Sequence, residues 1–501
     1  MISGRAPGLD RWRARMSRSA KTQAVARIEH RSSNAEANRP KKYGVQHASQ
    51  PHHQDSTGRR LDPCHATVCG GARYRIFALR WAGPRGKAPE RWPLRVLASL
   101  TTARSRTAGR SAITEITMDD VLESLDKGID ASLKRDERVA RHSRSYRCRC
   151  GNRIFLRNTL CLACGSQLGY LPDEGRLAAC DPGPTTGTWR AAGRDATLKF
   201  CANRDSPAFC NWVLHAHHAS GYCVACRLNR TIPDLGASDN ARYWAKLEIA
   251  KRRVVSQLIA LGLPVRSKLD EDPEHGLMFD FLRSPAGGPQ VMTGHASGLI
   301  TINVEEADDA KREHLRHLLR EPYRALVGHF RHEIGHYYWD RLIWDTRWLD
   351  AFRELFGDER ASYADACKRH YEKGAPADWA EHFVSSYATM HPWEDWAETW
   401  AHYLHMVDAL GTAIGFGVDV DRFRSDIVPF GTDALYAPDD PDAERILALL
   451  NGWIEIVMVL NEIARSMGQP DFYPFVIGKP VVKKLHFIQM VVAGARTTPD
   501  I

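Results

Sequence analysis

The chain has 501 residues, a hydrophobic fraction of 43% and a formal charge of +9. That length exceeds one ordinary core and implies about three domains. No run of about eighteen uncharged apolar residues occurs, so a membrane-spanning helix is not expected.

The charge is unevenly placed along the chain. Residues 1–117 carry 23 Lys and Arg against 7 Asp and Glu, a surplus of +16, and the remaining 384 residues carry −7. The N-terminus is basic without an apolar h-region, so a Sec-type signal peptide is not expected. Stretches such as PHHQDSTGRR and TTARSRTAGRSA lack apolar periodicity, and Cys64 and Cys69 have no partner pair nearby. A basic segment of this kind suits nucleic acid through counterion release, but its composition is that of a disordered tail. We read residues 1–117 as such an extension and Met118 as the natural start. An intact native mass near 56.4 kDa would contradict that start.

Residues 118–145 form a charged helical lead-in. A cysteine-rich block follows, assigned as a domain over 146–236, and TIPDLGASDN (Thr231–Asn240) links it to a domain over 237–501. In the helix that opens this last domain, Trp244, Leu247, Val254, Leu258 and Leu261 recur at helical spacing until Gly262 and Pro264 stop it. GLMFDFL and GLITINV read as strands. A helix follows Glu305 and is interrupted by Pro322, and beyond Leu349 the chain reads as mostly helical. The apolar run from Ile446 to Leu460 contains Asn451 and Glu455 and reads as a core helix.

Eight of the twelve cysteines form two quartets. The first is Cys148, Cys150, Cys161 and Cys164; the second is Cys201, Cys210, Cys223 and Cys226. Two close-spaced knuckles joined by a short hairpin can direct four thiolates at one tetrahedral zinc, and Gly151 and Gly165 supply the tight turns. Each quartet is therefore expected to hold a structural Zn²⁺. Cys180 lies between them and is an alternative to Cys201. Disulfides require an oxidising compartment, and the expectation is a cytoplasmic protein.

His332-Glu333-Ile334-Gly335-His336 reads H-E-x-x-H. With 22 histidines in the chain, the motif alone does not decide. On a helix His332 and His336 are one turn apart and share a face, so both can reach one Zn²⁺. Glu333 sits beside them, placed to take a proton from water held by the metal. Gly335 costs roughly 1 kcal/mol inside a helix relative to Ala, which close approach of another backbone would explain. The third ligand is sought in HPWEDWAETWAHYLH, where Glu394 and Glu398 are four apart and face one way. One can bind metal while the other buttresses a ligand histidine.

These motifs together resemble the gluzincin class of zinc metallopeptidases. More closely, GHFRHEIGHYYW, SSYATMHPWEDWAETWAHYLH and CNWVLHAH…CVACRLNRTIPDL resemble a bacterial family of zinc-binding metallopeptidases with an N-terminal zinc ribbon. The likeness runs from about Tyr146 to the C-terminus. It implies that His332, His336 and Glu394 bind a catalytic zinc, with Glu333 as general base and Glu398 supporting a ligand. It also implies that Tyr387 stabilises the oxyanion. The gap of 57 residues between His336 and Glu394 is longer than in many gluzincins, which keeps Glu398 open as the alternative ligand. His329, His391, His402 and His405 are read as packed or solvated histidines. Leu299–Val304 is expected to be an edge strand that binds substrate backbone.

The fold expected is α+β, with zinc-ribbon β-hairpins before a zincin-like catalytic domain that has a small sheet and a mostly helical C-terminal half. The function expected is zinc-dependent hydrolysis of peptide bonds. The alternative is a zinc-ribbon interaction protein whose metal site is not proteolytic. The partners expected are a peptide or protein substrate and a protein held through the ribbon, with no membrane. Nucleic acid is disfavoured by the acidic body, unless a basic run such as Lys251–Arg253 dominates locally.

Overall fold

The computed structural model describes residues 145–237, 239–285, 287–319, 325–420 and 427–496. The basic extension, Met118, Pro322 and the lead-in helix as far as residue 144 lie outside the described residues. The architecture is α+β, with the ribbon strands first and helices filling the C-terminal half.

Strands β1 (Ser145–Arg147) and β2 (Arg153–Phe155) pair as a hairpin around the first knuckle, with Tyr146 opposite Ile154. Gly151 and Gly165 both take the left-handed backbone that a knuckle turn requires, at φ +83° and +71°. Strands β3 (Gln167–Leu171), β4 (Arg176–Pro182), β5 (Trp189–Ala191), β6 (Thr197–Phe200) and β7 (Val213–His215) make an antiparallel meander in sequence order. Gly169 occupies the middle of β3 because a Cβ there would stand 2.7 Å from Val213 Cγ1 and 2.8 Å from Cys180 Sγ. The absent side chain lets β3 close down on β7.

A second sheet has the order β10-β11-β9-β8. Its strands are β8 (Asn229–Thr231), β9 (Met278–Leu282), β10 (Gly294–Ala296) and β11 (Leu299–Asn303). β8 and β11 both run parallel to β9, and β10 runs antiparallel to β11. The expected edge strand is corrected here: β11 is interior, with Ile300 and Ile302 fully buried, and the edges are β10, beside it, and β8. The β10 residues Gly-His-Ala carry no β-branched signal and become a strand only through pairing.

The helices are α1 (Asn240–Ala260), α2 (Asp309–Leu319), α3 (Leu326–Leu342), α4 (Leu349–Phe356), α5 (Tyr363–Lys373), α6 (Trp379–His382), α7 (Pro392–Gly415), α8 (Ala443–Ser466) and α9 (Lys479–Gly494). The apolar stripe of α1 is buried as its spacing predicts. The Lys251–Arg253 run is not an open basic patch. Lys251 pairs with Glu248 at 2.7 Å, Arg252 donates to Ala208 O at 2.7 Å and Arg253 pairs with Asp408 at 2.7 Å.

α8 buries Ile446, Leu450, Trp453, Ile456 and Val457 against the rest of the fold. By length and composition it could also cross a membrane, and only 28% of its most apolar window is buried. The core-helix reading thus covers one face of it, while Met458, Val459 and Ile463 are exposed.

One apolar core runs continuously from Tyr146, Cys210 and Trp212 through Trp244, Phe279 and Phe330 to Trp400 and Phe487. The ribbon and the helical body share it. A separate small cluster of Tyr363, Ala366, Cys367 and Met390 packs with Tyr371, Tyr387 and Trp393.

Candidate metal centre

The H-E-x-x-H motif lies on α3, and Glu394 and Glu398 lie on α7. α7 begins where the sequence signals it. His391 is the N-cap and accepts the Trp393 N–H at 3.1 Å, while Pro392 occupies the first turn. The two helices meet at Gly335. A Cβ there would lie 3.1 Å from Ala397 Cα and 3.2 Å from Trp400 Cδ1. Trp396 Nε1 also donates to Gly335 O at 2.9 Å. The close backbone approach expected from the glycine is present, and it brings the two acidic side chains to the histidines.

His332 Nε2 lies 2.9 Å, and His336 Nε2 3.4 Å, from the same oxygen, Glu394 Oε2. Donor atoms on a tetrahedral zinc at about 2.0–2.1 Å stand roughly 3.3–3.4 Å apart. Three donors thus converge at the spacing a small cation needs. Glu398 instead engages the far side of the ring, with His332 Nδ1 at 2.7 Å from Glu398 Oε1. Ser385 Oγ donates to the other Glu398 oxygen at 2.7 Å. Between the two acids, Glu394 meets both imidazoles and Glu398 orients one of them.

The electrostatics suit a cation. Burial opposes a charge on His332, but Glu394 and Glu398 outweigh it and hold the imidazolium up at about 10. Burial also works against Glu398, yet its bond to His332 draws the carboxyl down to about 2. A divalent ion beside Nε2 would take the place of the proton facing Glu394, while Nδ1–H keeps its bond to Glu398, so metal and proton compete at Nε2. His336 Nδ1 and Glu333 Oε2 are buried without a hydrogen-bond partner, and His336 Nε2 has only its 3.4 Å approach to Glu394. Leaving such groups unsatisfied costs about 1–3 kcal/mol each; metal ligation at His336 Nε2 with a water beside Glu333 would remove that cost for those two atoms. The residues present fit zinc.

Aromatic rings enclose the centre. Trp393 packs on His336 with ring centroids 4.5 Å apart, and Tyr387 lies 6.0 Å from His332. His295 of β10 stacks over His336 at 6.5 Å. Tyr363, at the start of α5, donates its hydroxyl to Glu394 Oε1 at 2.6 Å. Sequence reasoning passed over Tyr363, Ser385, Trp393 and His295 in these roles, because only tertiary packing brings them here. Behind the centre, buried Arg331 donates to Asp408 at 2.7 Å and to Gln257 at 2.9 Å, tying α3 to α7 and α1. The other histidines near the motif are engaged elsewhere. His329 pairs with Glu306, His391 caps α7, His402 bonds Tyr473, and His405 donates to Ala401 O at 2.8 Å.

Both cysteine quartets are assembled as expected. In the first, Cys148 and Cys164 are 3.6 Å apart at sulfur, and Cys150 and Cys161 3.7 Å. In the second, Cys210 lies 3.8 Å from both Cys223 and Cys226, and Cys201 Sγ accepts the Cys223 N–H at 3.4 Å. Thiolates on a tetrahedral zinc at about 2.3 Å stand roughly 3.8 Å apart, whereas a disulfide needs about 2.05 Å. Cys180 is not in either cluster; it is buried in β4 within the core of the ribbon sheet. The second quartet is wholly buried, and Cys226 Sγ lies 3.9 Å from Glu248 of α1.

Comparison with known proteins agrees with this geometry. Residues 240–491 match the family described as "Putative zinc-binding metallo-peptidase", and residues 145–237 match a zinc-ribbon domain family. A protein of Mycobacterium bovis and two from strains of Mycobacterium tuberculosis, all described as uncharacterized, are each 41% identical over 351 residues. The match covers 70% of this chain and 95% of each relative. No solved structure matches. The chain belongs to this family of zinc-binding metallo-peptidases and carries a zinc-ribbon domain ahead of the peptidase region.

Proposed function

We propose that the protein is a zinc-dependent peptidase that hydrolyses peptide bonds with Glu333 as general base. The carrying observation is the buried, unpartnered Oε2 of Glu333 beside the convergent donors of His332, His336 and Glu394. Zinc bound by those three supplies Lewis acidity, lowering the pKa of water toward neutrality and polarising a carbonyl. Glu333 takes the proton of the attacking water and hands it to the leaving amine nitrogen. Glu398 keeps His332 in the orientation that presents Nε2. Burial pushes the Tyr387 phenol well above its ordinary value, so Tyr387 stays a hydrogen-bond donor for the oxyanion at neutral pH.

An extended peptide backbone fits the outer side of β10, where no other described strand pairs. Each cysteine quartet holds a structural zinc, giving three zincs per chain with the catalytic one. The protein resides in the cytoplasm, a reading supported by eight cysteines that gather at zinc-ligand spacing rather than as disulfides; recovery of native protein from a secreted fraction would overturn it.

Glu333→Gln is the test. The variant keeps its third zinc by elemental mass spectrometry and loses peptide hydrolysis by about 10²–10⁴-fold, the contribution of a positioned base. Hydrolysis at the parent rate with full zinc refutes the assignment.

A further inference from the structure

A carboxylate that binds a metal can offer one oxygen or two. If Glu394 gave both, it would crowd the coordination position that a catalytic zinc keeps open for water. The structure separates its two oxygens. Oε2 faces His332 Nε2 and His336 Nε2 at 2.9 and 3.4 Å, while Oε1 accepts the Tyr363 hydroxyl at 2.6 Å.

The ring of Tyr363 is held firmly for this task. It is the first residue of α5, and Ser362 caps that helix by accepting the Asp365 N–H at 3.3 Å. Its edge meets His391 at 5.3 Å and Trp393 at 6.4 Å, both at the start of α7. His391 Nε2 in turn donates to Ala361 O at 3.1 Å, which anchors the chain just before the tyrosine.

We infer that Tyr363 is a positioning residue that restrains Glu394 to a single donor oxygen and so keeps a coordination position open at the metal. The inference rests on the peptidase reading for its purpose, but its structural content can be measured without a substrate.

The test uses the full chain loaded with Co²⁺, whose visible absorption weakens as coordination rises from four to five. Subtracting the spectrum of the His336→Ala chain removes the two cysteine sites. In Tyr363→Phe the freed Oε1 swings to the metal, and the difference spectrum becomes weaker than the parent's. On any peptide the parent cleaves, kcat falls about 10–100-fold with KM held. Ser362→Ala, which loosens the cap without touching the centre, shifts the spectrum in the same direction by less. It also serves as the deciding variant if the phenylalanine chain does not fold. An unchanged difference spectrum in a folded, metal-loaded variant overturns the inference. A spectral change in a protein that cleaves no peptide leaves Tyr363 in place and removes the peptidase reading instead.

Discussion

Gly335→Ala isolates the contact that builds the metal centre. The added Cβ would stand 3.1 Å from Ala397 Cα, 3.2 Å from Trp400 Cδ1 and 3.3 Å from Ala397 O. Carbon atoms prefer about 3.5–4.0 Å, so α3 and α7 must part by a few tenths of an ångström. Backbone and a buried indole line that gap, and neither can rotate away. Alanine gains about 1 kcal/mol of helix propensity, against overpacking that costs about 1–3 kcal/mol. We expect a net loss near 1 kcal/mol, read as a lower melting temperature. The larger effect falls on the metal. His332 and His336 ride on α3 and Glu394 on α7, and zinc tolerates about 0.2 Å in ligand distance. Zinc affinity at this centre, measured by chelator competition, should drop about tenfold, or about 1.4 kcal/mol. If Gly335→Ala melts higher than the parent and holds zinc as tightly, the helices have slack and the reasoning fails.

Glu398→Ala removes the acceptor for His332 Nδ1 and should weaken zinc binding about 10–100-fold without unfolding the chain; unchanged affinity would show that Glu398 does not orient the ligand. Acid should destabilise the fold through its buried neutral histidines. Burial holds His402 down at about 4, below its ordinary value near 6.5. Below pH 6.5 the unfolded chain gains a proton that the folded chain refuses. Stability is therefore full above pH 6.5 and falls until about pH 4, by roughly 1.4 kcal/mol per pH unit from this histidine. Melting curves from pH 7 to 4 check this. His402→Gln should reduce the slope by about one proton, and an unaltered slope would exclude His402 as a contributor.

The side chains that converge at the candidate centre and in the two cysteine quartets were legible because their signal is local. Four-residue spacing puts His332 with His336, and Glu394 with Glu398, on single helix faces, and knuckle spacing with glycine turns marks the cysteine sites. Gly335 was legible as a cost without a local benefit. Tyr363 was not, since it reaches Glu394 across 31 residues and nothing in its neighbourhood marks it. The long gap that kept Glu394 and Glu398 open as alternatives contains α4, α5 and α6, and α5 brings that tyrosine. The edge strand was misplaced because β11 has the alternation of a strand while β10 has three weak strand formers, and only pairing in the folded sheet decides which lies outside. Likewise β8 follows the cysteine block in sequence yet hydrogen-bonds to β9.

The shared core and β8 bear on how metal dependence can be diagnosed. The second cysteine quartet belongs to the same core as Trp244 and Phe330, and α1, which packs beside it, also reaches Arg331 next to the motif. Stripping structural zinc would loosen α1 and the sheet edge together. Inhibition by a chelator, the usual sign of a metallopeptidase, would therefore be ambiguous for this chain, since an emptied ribbon and an emptied centre would both silence it. Time resolves the two. Loss at the centre is reversed as fast as zinc returns, whereas loss at the buried quartet requires refolding first.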